Sequence, residues 1–225
     1  MRHRFHSNLP LTSGALIELA GDELHHARVL RLREGEPVEV FDGRGMAFAA
    51  ATEGPASVRL GDALPSRESP LAVHLAMSVI NLDKFELVLQ KATELGVASI
   101  TPLLTDRMEV RVERFRGKRE RWQKILFEAV KQSGRAVIPA LHDAVAFDEA
   151  IARNGMKIVY DADEPPTATQ QLSSPATLYI GPEGGFSPRE LELAPGQGAV
   201  FASLGPRRLR AETAAIVAVA RVIAA

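Results

Sequence analysis

The 225-residue chain has no cysteine, which excludes disulfides, thiolate nucleophiles and thiolate zinc sites. It has no apolar run long enough to span a bilayer; the last predicted helix comes nearest but carries Arg221. The opening residues, Met1-Arg2-His3-Arg4-Phe5-His6, lack the apolar stretch of a signal peptide. A cytoplasmic protein without a membrane partner is expected. Net charge is only −1, so affinity for nucleic acid must come from local patches. Neither Gly-x-Gly-x-x-Gly nor a Gly-Lys-Ser/Thr phosphate loop occurs, which weakens dinucleotide and nucleotide-triphosphate readings. No spacing suggests a Ser-His-Asp set, and there is no internal repeat. What remains is 46% hydrophobic, enough for one large or two small domains.

Residues 1–68 read as β-rich. Ala15–Leu19, Pro37–Phe41, Met46–Ala51 and Ser57–Leu60 are strand candidates, and Asp42-Gly43 signals a hairpin. Asp22 to Leu32 has helical spacing. Short strands separated by turns suggest a small barrel. Leu64–Pro70, polar with two prolines, reads as a linker.

From Leu71 strand and helix alternate. Leu71–Ile80, Val97–Leu104, Lys157–Tyr160, Thr177–Ile180 and Ala199–Leu204 are apolar strands. Asp83-Lys84-Phe85-Glu86 has the form of a capping box before a helix ended by Gly96. Lys118–Ser133 is amphipathic, and Ala211–Ala225 is apolar nearly all round, hence buried in the domain or against a partner subunit. The alternation predicts an α/β domain over 71–225 with a mostly parallel sheet and helices on both faces.

Two stretches in this half share a pattern of apolar run, glycine turn and helix start. The first is Leu178-Tyr179-Ile180-Gly181-Pro182-Glu183-Gly184-Gly185-Phe186, followed by the capping box Ser187-Pro188-Arg189-Glu190. The second runs from Leu204-Gly205 to Arg210, with Arg207, Arg208 and Arg210 suited to an anion. Side by side at the carboxyl ends of neighbouring strands, the two loops would form a ligand crevice; alone, the first could be only a tight turn. Between Arg107 and Arg121 seven basic residues face three acidic ones, a local charge of +4. That run is either a solvated face or a contact for a phosphate backbone. Arg2, Arg4, Arg28, Arg31 and Arg33 form a second basic cluster. His25 and His26 are adjacent and point apart on a helix, so no metal site is expected; they pack the barrel or touch RNA.

Several of these segments resemble a known family. Arg2-His3-Arg4-Phe5, His25-His26-Ala27-Arg28-Val29-Leu30-Arg31 and Gln90-Lys91-Ala92-Thr93-Glu94-Leu95-Gly96-Val97 are similar to the bacterial 16S ribosomal RNA uridine-N3 methyltransferases of the RsmE type, in the SPOUT class. So are Arg121-Trp122, Gln132-Ser133 with Arg135, and both glycine stretches through Glu212-Thr213-Ala214. The chain departs from the family pattern at Asn81-Leu82, where Lys-Gly is common, and at Arg208 and Ala211, usually isoleucine and threonine.

The resemblance implies a PUA-like amino-terminal barrel for RNA, a trefoil-knotted methyltransferase domain, a homodimer, and 16S ribosomal RNA in the small subunit as partner. It implies S-adenosylmethionine as cofactor, held by Leu178, Ile180, Gly181, Pro182, Glu183, Gly184, Gly185, Leu204, Gly205, Leu209, Arg210 and Thr213. Arg210 is the candidate for stabilising a uridine anion. Glu183 is a candidate base, or else a carboxylate that accepts bonds from loop amides. Arg2, Arg4, His25, Arg28, Arg31, Arg111, Arg114, Arg116 and Arg135 are the RNA candidates. Rival readings are methyl transfer to a ribose 2′-hydroxyl or another base, and a non-catalytic ribosome-assembly factor.

Overall fold

The computed structural model describes residues 3–162 and 175–223. Packing divides the chain into two units. One runs to Glu68 and includes Val130–Ile138; the other comprises Ser69–Ala129 and the residues from Pro139 onward.

The first unit contains strands β1 (His3–His6), β2 (Leu16–Glu18), β3 (Pro37–Phe41), β4 (Ala47–Thr52) and β5 (Ser57–Ala63), with helix α1 (Gly21–Leu30) after β2. Their order is β1-β3-β4-β5-β2; β1 is parallel to β3 and the other pairs are antiparallel. The sheet curls around Phe5, Val38, Val40, Phe48, Val58 and Leu60, and α1 adds Ala27. At the expected hairpin, Asp42 Oδ1 accepts from the N–H groups of Arg44, Gly45 and Met46 at 2.8, 3.0 and 3.0 Å, so a side chain organises a five-residue turn.

The β1 strand has no simple alternation because Arg4, only 7% exposed, lies inside. Its Nε donates to Glu39 at 3.1 Å, one terminal nitrogen donates to the Val130 carbonyl at 2.8 Å, and its guanidinium lies 4.6 Å from the Phe41 ring centre. Arg135 is likewise buried and donates twice to Glu68, at 2.9 and 2.7 Å. Both arginines were expected on RNA; instead they are internal ion-pair partners. Glu68 also accepts from the Ala136 and Val137 amides at 2.9 and 3.1 Å, so the expected linker is pinned at this residue.

The second unit contains β6 (Val73–Ser78), α2 (Leu82–Leu95), β7 (Ser99–Leu104), α3 (Arg119–Ser133, its last turn in the first unit), β8 (Ala140–Leu141), β9 (Val145–Ala146) and α4 (Phe147–Ile151). There follow β10 (Met156–Tyr160), β11 (Ala176–Ile180), α5 (Pro188–Gly196), β12 (Ala199–Ala202) and α6 (Ala211–Ile223). The sheet runs β12-β10-β11-β6-β7-β8, with β9 also on β7, and every pair is parallel. Parallel strands are buried on both faces, hence their near-continuous apolar sequences. Leu75, Met77, Ile100, Leu178 and Ile180 pack with α2 and α6 on one face. Ala76, Leu103, Val159 and Tyr179 pack with α4 and α5 on the other.

Local signals set the helix ends. Ser187 and Glu190 make the expected capping box at α5. At α2, however, the cap is Asn81, whose side chain accepts from the Asp83 amide, and not Asp83 itself. Asn81 thus has a structural use at a position where the family often has lysine. Gly96, at φ 113, closes α2 in the left-handed region. The inner face of α6 (Ala215, Ala218, Val219, Val222) is buried within this unit. Residues 163–174, between β10 and β11, lie outside the described residues.

Glu68 gives the first testable consequence. Burial opposes its ionisation, but Arg135 and the two amides outweigh that and hold its carboxyl below the usual range. A depressed folded-state value means that its stabilisation is present above the unfolded-state value and disappears as pH falls through the folded-state value. Glu68→Ala, which removes the carboxylate that the buried Arg135 and the two amides donate to, should cost about 3 kcal/mol in urea unfolding near neutral pH, with the gap to the parent closing in acid. Equal stability of variant and parent at neutral pH would refute this role.

Candidate active site

The first glycine loop begins where β11 ends. Its Gly185 amide donates to the Pro182 carbonyl at 2.9 Å, forming a turn. A Cβ on Gly181 would lie 3.1 Å from the Phe186 nitrogen and 3.2 Å from the Gly185 carbonyl carbon. A side chain at 181 would need the loop, which folds back on itself there, to give by a few tenths of an ångström. Gly185 (φ +70) and Gly205 (φ +116) differ: both adopt a backbone that favours glycine, and a Cβ at either would meet nothing within 4 Å.

The loop is held from below by the segment after β7. Glu190, fully buried, accepts from the Ser187 amide at 2.7 Å and from the Asp106 amide at 3.0 Å. The Ser187 hydroxyl donates to Asp106 at 2.6 Å, and Arg189 pairs with the same carboxylate at 3.0 Å. Hydrogen bonds from Arg189 and then Ser187 hold Asp106 below the usual carboxylate range. Arg107 donates to the carbonyls of Gly184 and Phe186 at 2.9 and 3.2 Å. None of these long-range ties has a local sequence signal.

The two glycine loops do not leave neighbouring strands. Strand β10 lies between β11 and β12, and all three end level, because Tyr160 is in register with both Ile180 and Ala202. Tyr160, Asp161 and Ala162 therefore form part of the cleft, a contribution missed in the sequence because strand order has no local signature. The cleft has a volume of about 400 Å³. Ile180, Gly181, Pro182, Glu183, Gly185, Leu204, Gly205, Leu209 and Arg210 all line it, as expected. Phe186, Arg207, Arg208, Ala211 and Ala214 line it as well.

Three expected residues lie elsewhere. Leu178 is fully buried in the core beneath the site. A Cβ on Gly184 would meet Arg107 at 3.7 Å, away from the cleft. Thr213 is exposed, while Ala211 and Ala214 of the same helix reach the cleft. Glu183 and Arg210 are both exposed on the cleft wall, and among the described residues neither side chain has a hydrogen-bond or ion-pair partner. Glu183 therefore does not tie down the loop; Glu190 and Arg107 do.

Of the RNA candidates, Arg2 lies outside the described residues. His25, Arg28 and Arg31 are exposed on and just after α1 in the first unit. Arg111, Arg114 and Arg116 are exposed around a 3-10 turn at Val112–Arg114 in the second. His26 turns inward, with its ring 5.7 Å from that of Phe5 and Nδ1 3.3 Å from Lys131 Nζ.

Comparison with known proteins assigns this arrangement. The family model for an RNA methyltransferase domain matches residues 67–223, and that for an RNA methyltransferase PUA domain matches residues 19–51. The ribosomal RNA small subunit methyltransferase E of Rickettsia conorii is 33% identical over 98% of this chain and 94% of its own length. Its Bacillus subtilis counterpart is 28% identical over 91% and 88%. A crystal structure of the Neisseria gonorrhoeae enzyme of that name, bound to S-adenosyl methionine, superposes with a TM-score of 0.89 at 30% identity, covering 98% of this chain and 96% of that one. The chain, which joins an RNA methyltransferase domain to a PUA domain, belongs to the ribosomal RNA small subunit methyltransferase E family.

Proposed function

We propose that the cleft binds S-adenosylmethionine and that this chain methylates N3 of a uridine in the decoding region of 16S ribosomal RNA within the assembled small subunit. The observation that carries the reading is the cleft itself. It lies at level strand ends, with open space over Gly185 and Gly205, in a chain similar along its length to a protein crystallised with that cofactor. Its volume falls within the roughly 300–1,000 Å³ typical of small-molecule pockets. Ile180, Leu204 and Leu209 give apolar cover for a purine. The loop backbone supplies the polar groups for ribose and adenine.

The bound cofactor supplies an activated methyl carbon. The chain's part is to align a nucleophile with it and to exclude water. Uridine N3 carries a proton at neutral pH and lies on the pairing edge, so the base must leave its stack and lose that proton. The guanidinium of Arg210, without a partner among the described residues, lines the cleft, where it would stabilise the resulting anion. Glu183, likewise without a partner among the described residues, is the candidate acceptor for the proton. The exposed arginines at 28, 31, 111, 114 and 116, with His25, serve the RNA. Ile216, Val217 and Ala220 of α6 are only partly buried, which suits a homodimer. A ribosomal RNA substrate fits a cytoplasmic protein.

Arg210→Ala should leave the fold intact and lower kcat on small subunits lacking the modification by about 10²–10³-fold, as loss of an oxyanion donor does. Digestion of the product identifies the nucleoside; a 2′-O-methylated nucleoside or another modified base would displace the N3 assignment, and full activity would remove Arg210 from the mechanism. Arg107→Ala should weaken cofactor binding about tenfold by calorimetry, with Arg107→Lys intermediate. Unchanged affinity would show that the loop keeps its shape without that clamp.

A further inference from the structure

A second cavity in the methyltransferase unit has no part in the proposed cofactor site. It measures about 240 Å³ and is walled by Pro102, Phe115, Trp122 and Leu141, with exposed Arg116 and His142 beside them. Arg119 and Asp143 also line it but are paired at 2.6 Å, and Arg119 donates again to the Leu141 carbonyl. Arg116 is left as a cation whose side chain has no partner among the described residues. The rings of Phe115 and Trp122 are stacked, 6.0 Å apart at 18°. The volume is below the roughly 300–1,000 Å³ of pockets for drug-sized ligands, which suits one planar heterocycle. An aromatic, apolar wall beside a free guanidinium matches a nucleotide: the wall takes the base and the arginine takes a phosphate.

Position selects the kind of nucleotide. Pro102, Met77 and Ile180 lie in one row of the sheet, in register across β7, β6 and β11. Pro102 borders the cavity, Ile180 borders the cofactor cleft, and Met77 between them is fully buried. Two strand spacings, roughly 10 Å, separate the backbones of these two lining residues, Pro102 and Ile180. That is about three times the 3.4 Å rise between stacked neighbours on one strand, so bases held at both places cannot stack on each other.

We propose that this cavity receives a second, unpaired base of the same RNA strand, within about two nucleotides of the uridine offered to the cleft. It would act as a specificity pocket that keeps the strand splayed. The inference rests on the cleft's being the site of methyl transfer, but its test does not require transfer to occur.

The chain's single tryptophan, Trp122, walls the cavity and reports on its occupancy. Uridine hexanucleotide titrated into the full-length protein should quench its fluorescence saturably. Ala144→Phe, which fills the cavity from its wall, should weaken this binding at least about tenfold. Arg116→Gln should weaken it too and lower the salt slope by about 0.7, the value for one phosphate contact on a single strand. Cofactor affinity by calorimetry should be equal in all three proteins, which also establishes that the variants fold; should Ala144→Phe fail that check, Arg116→Gln decides. Absence of quenching in the parent, or equal hexanucleotide affinity in parent and folded variants, overturns the proposal. Failure of the parent to bind S-adenosylmethionine would instead refute the cofactor site and leave the quenching result standing.

Discussion

The active-site region depends on one buried charge. Glu190 has no solvent exposure, and a carboxylate taken out of water needs fixed donors. It finds them in the Ser187 amide at the start of its own helix and the Asp106 amide more than eighty residues earlier. The helix N-terminus adds a favourable field for the negative charge. Because both oxygens are committed, the end of β7 and the start of α5 cannot move independently without stranding that carboxylate. The loop between β11 and α5 is thereby fixed at its far end, and Arg107 fixes its middle through two carbonyls. A cleft wall made of backbone with little side-chain cover needs such outside support. Glycine supplies close approach there but no rigidity of its own.

The second constraint is register. Tyr160, Ile180 and Ala202 stand in one row, so three loops emerge at the same height. Any slip in one strand would raise or lower a wall of the cleft and turn its side chains to the opposite face. This ties binding geometry to the core, because the residues that hold the register (Leu178, Ile158, Leu75) are themselves fully or almost fully buried. Leu178 serves the site from beneath and does not touch the cleft.

The sequence is most legible where structure is local. The capping box at Ser187, the glycine at the end of α2, the amphipathic α3 and the two glycine turns are all readable within a few residues. It is silent where a role is set by distant partners. Arg4 and Arg135 look like solvent arginines because nothing nearby announces Glu39 or Glu68. Strand order is equally hidden, so the β10 end was missed as a wall of the cleft. Thr213 and Ala214 differ by a single helical step, about 100°, and only docking of α6 decides which of them faces the ligand.

The charge around the cleft bears on how the proposed reaction loses its proton. Arg207, Arg208 and Arg210 line it, against Glu183 and Asp161. A cation about 4 Å from a developing anion contributes on the order of 4 kcal/mol at the effective dielectric of a protein surface. At 1.36 kcal/mol per pKa unit, that is about three units of acidification at uridine N3. An effect of this size would let a weak carboxylate such as Glu183 take the proton, so a strong base is not required. In the proposed reaction the arginines would serve transfer by making N3 nucleophilic, and the buried Glu190 would serve it by keeping the opposite wall in place.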